Sequence, residues 1–84
     1  MFNEDDYDEY MGKRVAIQKL GYYGEHTMHT LDVLEVTTNG TELFLEGFIA
    51  NTPHSTAFRV NRCLSFSVIG DIPTEQLDFY FSML

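Results

Sequence analysis

Asn39-Gly40 separates two runs rich in β-branched and aromatic residues, Thr27 to Val36 before it and Thr41 to Ala50 after it. Asn and Gly both tolerate positive φ, so the pair suits the centre of a type I′ turn, whose twist matches that of paired strands. The pair predicts a tight antiparallel hairpin in the middle of the chain. In 84 residues such a hairpin leaves room for a single small domain around one modest core.

The remaining segments extend the same pattern. Val15, Ile17 and Lys19 alternate with Arg14, Ala16 and Gln18, the period of a half-buried strand, until Gly21-Tyr22-Tyr23-Gly24 breaks it. In the third run Leu43, Leu45 and Gly47 share one face, Phe44 and Phe48 the other, and Gly47 marks a bulge or bend. Residues 51–55 read as a loop, and Ala57 to Arg62 and Leu64 to Ile69 read as two more strands separated by a tight bend. Gly70-Asp71-Ile72-Pro73 closes the β region. Pro73 and Thr74 then suit a helix start, with Glu75 and Asp78 near the positive end of its dipole. Leu77, Tyr80, Phe81 and Leu84 fall at i, i+3, i+4 and i+7 and predict the buried stripe of a short amphipathic helix. Phe79 and Met83 on its other side are an expected homodimer contact.

The resulting fold class is mainly β. It is a small five-stranded SH3-like or Sm-like barrel over 13–72, with a short C-terminal α-helix over 73–84 and an acidic N-terminal arm over 1–12; an OB-like barrel is the alternative.

Charge limits the function classes. Thirteen Asp and Glu against five Lys and Arg give a net charge of −8, which repels nucleic-acid phosphate at long range and favours a basic protein partner. Glu4, Asp5, Asp6, Asp8 and Glu9 crowd five carboxylates into six residues around Tyr7, the composition of a solvated arm. It serves either as a solubilising tail or as the partner-binding surface of an acidic, nucleic-acid-mimicking inhibitor. Tyr7, Tyr10 and Met11 offer apolar groups to dock it on the body. No stretch reaches the roughly 18 apolar residues of a membrane span, and the acidic start differs from a secretory signal, so a cytoplasmic protein is expected. The single cysteine, Cys63, lies among apolar neighbours and reads as a buried packing residue.

No Gly-rich phosphate loop, Gly-x-Ser-x-Gly elbow or His-Glu-x-x-His pattern is present, and a non-catalytic protein without a cofactor is expected. His26 and His29 point to opposite faces of a strand and read, with His54, as surface residues rather than metal ligands. Arg59 and Arg62 stand out: two of the five cations lie three positions apart in an apolar run. On a straight strand they diverge, whereas a bend between them aims both guanidinium forks at one anion. The competing arrangement pairs them inside the protein with Asp32, Glu35, Glu46 or Asp71. Phe58 and Val60 face away from Arg59 into the core.

Val15-Ala16-Ile17, Gly21-Tyr22-Tyr23-Gly24-Glu25, Leu31-Asp32-Val33-Leu34, Asn39-Gly40, Leu43-Phe44-Leu45-Glu46-Gly47-Phe48 and Phe58-Arg59-Val60-Asn61-Arg62-Cys63-Leu64 together resemble the WYL domain, over roughly Lys13 to Ile69. The resemblance is greatest at Phe58, Arg59, Val60 and Arg62. Asn61 replaces the usual Asp, Leu43-Phe44-Leu45 lacks the name-giving Trp and Tyr, and Thr56 and His29 fall where the family carries basic residues. The resemblance implies a small β-barrel that senses an anionic ligand, a nucleotide or nucleic acid, in a bacterial or phage regulator, here without the usual helix-turn-helix. It places the ligand at Arg59, Arg62 and His29, with Tyr22 and Tyr23 for stacking, or a protein partner on the same face.

Overall fold

The computed structural model describes residues 9–39 and 41–83. Its strands are β1 (Lys13–Leu20), β2 (His26–Thr38), β3 (Leu43–Ile49), β4 (Ser55–Arg59) and β5 (Cys63–Asp71); a single 3₁₀ turn, Val60–Arg62, joins the last two, and α1 spans Thr74–Ser82. All neighbours pair antiparallel, in the order β4-β3-β2-β1-β5.

Alternation sorts the two faces of this sheet. Val15, Ile17, Leu31, Val33, Val36, Leu43, Leu45 and Phe58 form the buried core on one face, and Tyr10, Val60, Cys63 and Phe66 pack against it. Residues from β1 and β4 thus share one cluster although two strands separate them, so the sheet is rolled. The roll has a local cause. In β2 the register shifts between Val33 and Glu35, opposite Gly47, and a Cβ on Gly47 would lie 1.9 Å from the Asp32 carbonyl oxygen. Only glycine permits that approach, which lets the long strand bend.

The other face carries α1. Phe48 and Ile72 are buried with Tyr80, flanked by Leu34 and Leu77, and the Phe48 and Tyr80 rings stack with centroids 4.6 Å apart. Beneath them lies Asp32, fully buried. Arg14 donates from Nε to Oδ1 at 2.7 Å and from Nη2 to Oδ2 at 2.9 Å, and the Tyr80 hydroxyl donates to Oδ2 at 2.5 Å. Asn51, at φ 65°, completes the cluster: its side-chain oxygen accepts from Arg14 and its N–H donates to the Tyr80 oxygen. A buried carboxylate is tolerated when a cation and further donors satisfy it. The helix is therefore latched to the sheet by polar groups as well as packed on it.

Several expectations change. The sheet is not closed: β4 and β5 are its two edges, and barrel describes its roll only loosely. The central hairpin forms without Asn39 at a positive-φ turn centre. The β2–β3 ladder ends at Thr38↔Leu43, and Asn39 instead accepts backbone N–H groups of Thr41 and Glu42 on its side-chain oxygen. Gly40 lies outside the described residues. The strand after the loop ends at Arg59, where the 3₁₀ turn begins. Of the anticipated helix stripe, Leu77 and Tyr80 turn inward but Phe81 is 57% exposed, because Ile72 and Phe48 fill the contact around Tyr80, and Leu84 lies outside the described residues. Within the acidic arm Glu4, Asp5, Asp6 and Asp8 lie outside the described residues, and Glu9 is exposed. Tyr10 docks edge-on to Phe66 with ring centroids 5.4 Å apart.

Candidate functional site

The five cations fall into two groups. Lys13 pairs with Asp71 and Arg14 with Asp32. The other three, Lys19, Arg59 and Arg62, line one cleft of about 280 Å³ with Phe44, Phe58 and Cys63. Its construction follows from the chain. β4 delivers Phe58 inward and Arg59 to the opposite side, and the 3₁₀ turn reverses the progression so that Arg62 returns to the same cleft. This is the bend that a common Arg59–Arg62 site requires. Lys19 comes from the far strand, β1, next to a register irregularity between Gln18 and Lys19 against β5.

The cations are held against aromatic faces. The Lys19 Nζ lies 5.7 Å from the Phe58 ring centre and the Arg59 guanidinium 5.3 Å from that of Phe44. Arg59 also meets Glu42, Nε to Oε2 at 3.3 Å. Its internal partner is thus Glu42, not Asp32, Glu35, Glu46 or Asp71. Arg62 is exposed and forms no ion pair among the described residues.

Protein-family models, curated proteins and solved structures yield no match to the chain.

His29 stands at the margin of the cleft, its ring 5.4 Å from that of Phe58, which is a lining residue. Tyr22 and Tyr23 are 95% and 91% exposed on the β1–β2 loop, packed edge-on against each other, and neither lines the cleft. Lys19, Phe44, Phe58 and Cys63 also line the cleft, and none of them was among the ligand residues expected from the sequence. The signal for Lys19 was its place in the Val15, Ile17, Lys19 alternation, which sets it on the inner face just beyond the core.

Cys63 donates its thiol hydrogen toward the Arg59 carbonyl at 3.4 Å. Burial pushes the thiol pKa up, and the Lys19 ammonium draws it partly back. Chemically the cleft offers two guanidinium groups and one ammonium, two of the three cations seated on aromatic faces, the elements that hold a phosphate or carboxylate. Among the described residues no three His, Cys, Asp or Glu side chains gather to hold a metal, and no helix is long and apolar enough to cross a membrane.

Proposed function

We propose that this protein is a non-catalytic regulatory binding module, resembling a stand-alone WYL domain, that captures an anionic group in the Lys19–Arg59–Arg62 cleft. One observation carries the reading: three of the five cations of a chain of net charge −8 line a single cleft. A protein this acidic repels anions at a distance, so a local concentration of cations is needed to bind one. The Lys19 and Arg59 heads are already seated on the Phe58 and Phe44 rings, so the cleft is suited to the phosphate of a nucleotide or a single-stranded nucleic acid rather than to its base.

The test is a titration of isotope-labelled protein with inorganic phosphate, adenosine monophosphate and a short oligouridylate. The expected shifts concentrate at the amides of Lys19, Phe44, Phe58 and Cys63. Shifts scattered over the surface, or confined to Tyr22 and Tyr23, contradict the reading.

Self-association through α1 is a second reading, favoured by the 43% and 57% exposure of Phe79 and Phe81. Its test is Phe79→Glu with Phe81→Glu, because truncation of the helix would remove Tyr80 from its buried cluster. A light-scattering mass that falls from dimer to monomer supports it, and a monomeric parent protein excludes it.

A further inference from the structure

A second cleft, of about 370 Å³, opens on the helix-bearing face of the sheet beside β4 and is independent of the cationic site. Leu34 and Phe48 give it an apolar floor, and Glu35 and Glu46 stand at its rim. These two glutamates are direct partners in the β2–β3 register. Like charges placed opposite each other across strands are destabilising. Neither carboxylate has an ion pair or hydrogen bond among the described residues, and each of the five cations is accounted for at Asp71, at Asp32 or in the other cleft. Among the described residues the chain supplies them no counter-charge.

Ser55, Thr56 and Ala57 of β4 line its other part, with Ala57 beside Glu46 in the β3–β4 register. That strand is an edge of the sheet, bonded to β3 on one side only, and it carries neither proline nor charge before Arg59. An unpaired edge of this kind accepts an added strand. Charge and shape then select the same occupant. A Lys or Arg side chain lays its methylenes on apolar surface while its head reaches a carboxylate.

We propose that an extended, basic segment of a partner protein adds along β4 and seats a Lys or Arg side chain in this cleft between Glu35 and Glu46. The net charge of −8 draws such a segment in from a distance, and the strand edge fixes its direction.

The probe is the peptide acetyl-Val-Lys-Val-Lys-Val-amide, titrated into labelled full-length protein. Amide shifts are expected at Ser55, Thr56 and Ala57, and at Glu35 and Glu46. Glu35→Gln with Glu46→Gln is expected to weaken binding about tenfold, while Glu75→Gln with Asp78→Gln, an equal charge change on α1, leaves it within about twofold. The first variant should melt at or above the parent temperature, since it removes a repulsion. Equal losses from the two variants would show attraction to overall charge and overturn the site. Undiminished binding of a backbone N-methylated peptide would overturn strand addition. A concentration-dependent dimer in sedimentation, abolished by the Glu35 and Glu46 changes, would make a second copy the occupant and overturn the separate partner. Because Lys19, Arg59 and Arg62 take no part, failure here leaves the anion-binding reading standing.

Discussion

The Tyr80 hydroxyl donates to the Asp32 carboxylate at 2.5 Å, joining positions 48 residues apart with both side chains fully buried. Arg14 and Asn51 complete the cluster, so the helix depends on a polar contact as well as on its stack with Phe48. Tyr80→Phe strands the Asn51 N–H and one carboxylate lone pair, and the expected loss in urea unfolding is about 1–3 kcal/mol. Asp32→Ala leaves Arg14 without its carboxylate and is expected to cost about 3–5 kcal/mol. A Tyr80→Phe protein as stable as the parent would remove the latch from the account.

The same cluster sets an alkaline limit. Burial, and then the hydrogen bond to Asp32, raise the Tyr80 pKa above the ordinary phenol value. Between the unfolded and folded pKa values the native state holds the proton that the unfolded state has lost, so stability falls as pH rises. This contribution is fully present below about pH 10 and is lost as pH climbs through the higher folded value. Unfolding midpoints measured from neutral to strongly alkaline pH should show the decline, and Tyr80→Phe should flatten it.

Gly47→Ala tests the bend in β2. The added Cβ meets the Asp32 carbonyl oxygen at 1.9 Å, backbone that cannot swing aside, and the expected loss is about 3 kcal/mol or more, at the upper end for overpacking. An ordinary strand Gly-to-Ala change is neutral or stabilises by up to about 1 kcal/mol, so a variant as stable as the parent or more so would mean that the approach is not required.

Much of this fold is legible from period and turn chemistry. Val15 and Ile17, Leu43 and Leu45, and Phe44 and Phe48 sit on the faces their alternation assigns, and Gly47 stands opposite the register shift that a strand glycine suggests. The latch was not legible. Arg14, Asp32 and Tyr80 are far apart in sequence, and a buried carboxylate announces itself only through tertiary partners. For the same reason Tyr80 read as one apolar position in a stripe and Phe81 as another, although Phe81 is exposed. In the cationic cleft Arg59 and Arg62 stood out as a pair by their spacing, but the expected strand ran on to Arg62, and the turn that begins after Arg59 was only the condition for a shared site. Lys19 reaches them only through the roll of the sheet, and the pairing of Arg59 with Glu42 follows from the hairpin register that sets Phe44 opposite Arg59.

Cys63 reports on occupancy of that cleft, because it is both a lining residue and the only cysteine. With its thiol pKa raised chiefly by burial, alkylation by iodoacetamide should be slow at neutral pH and accelerate only above the ordinary thiol range near about 8.5. Lys19→Met removes the ammonium that opposes the shift and should slow the reaction further. Saturating adenosine monophosphate should also slow it. Unchanged alkylation in the presence of bound nucleotide would place the nucleotide elsewhere.

The most direct measurement of the central claim is calorimetric titration of adenosine monophosphate into the parent protein, Arg62→Gln and Glu42→Gln, with melting temperatures recorded alongside. Arg62 has no ion pair among the described residues, so its substitution should weaken binding about tenfold while melting stays at the parent value. Glu42→Gln releases Arg59 and should tighten binding by about two- to fivefold. Binding that is absent in the parent, or identical in all three proteins, would contradict an anion site at Lys19, Arg59 and Arg62.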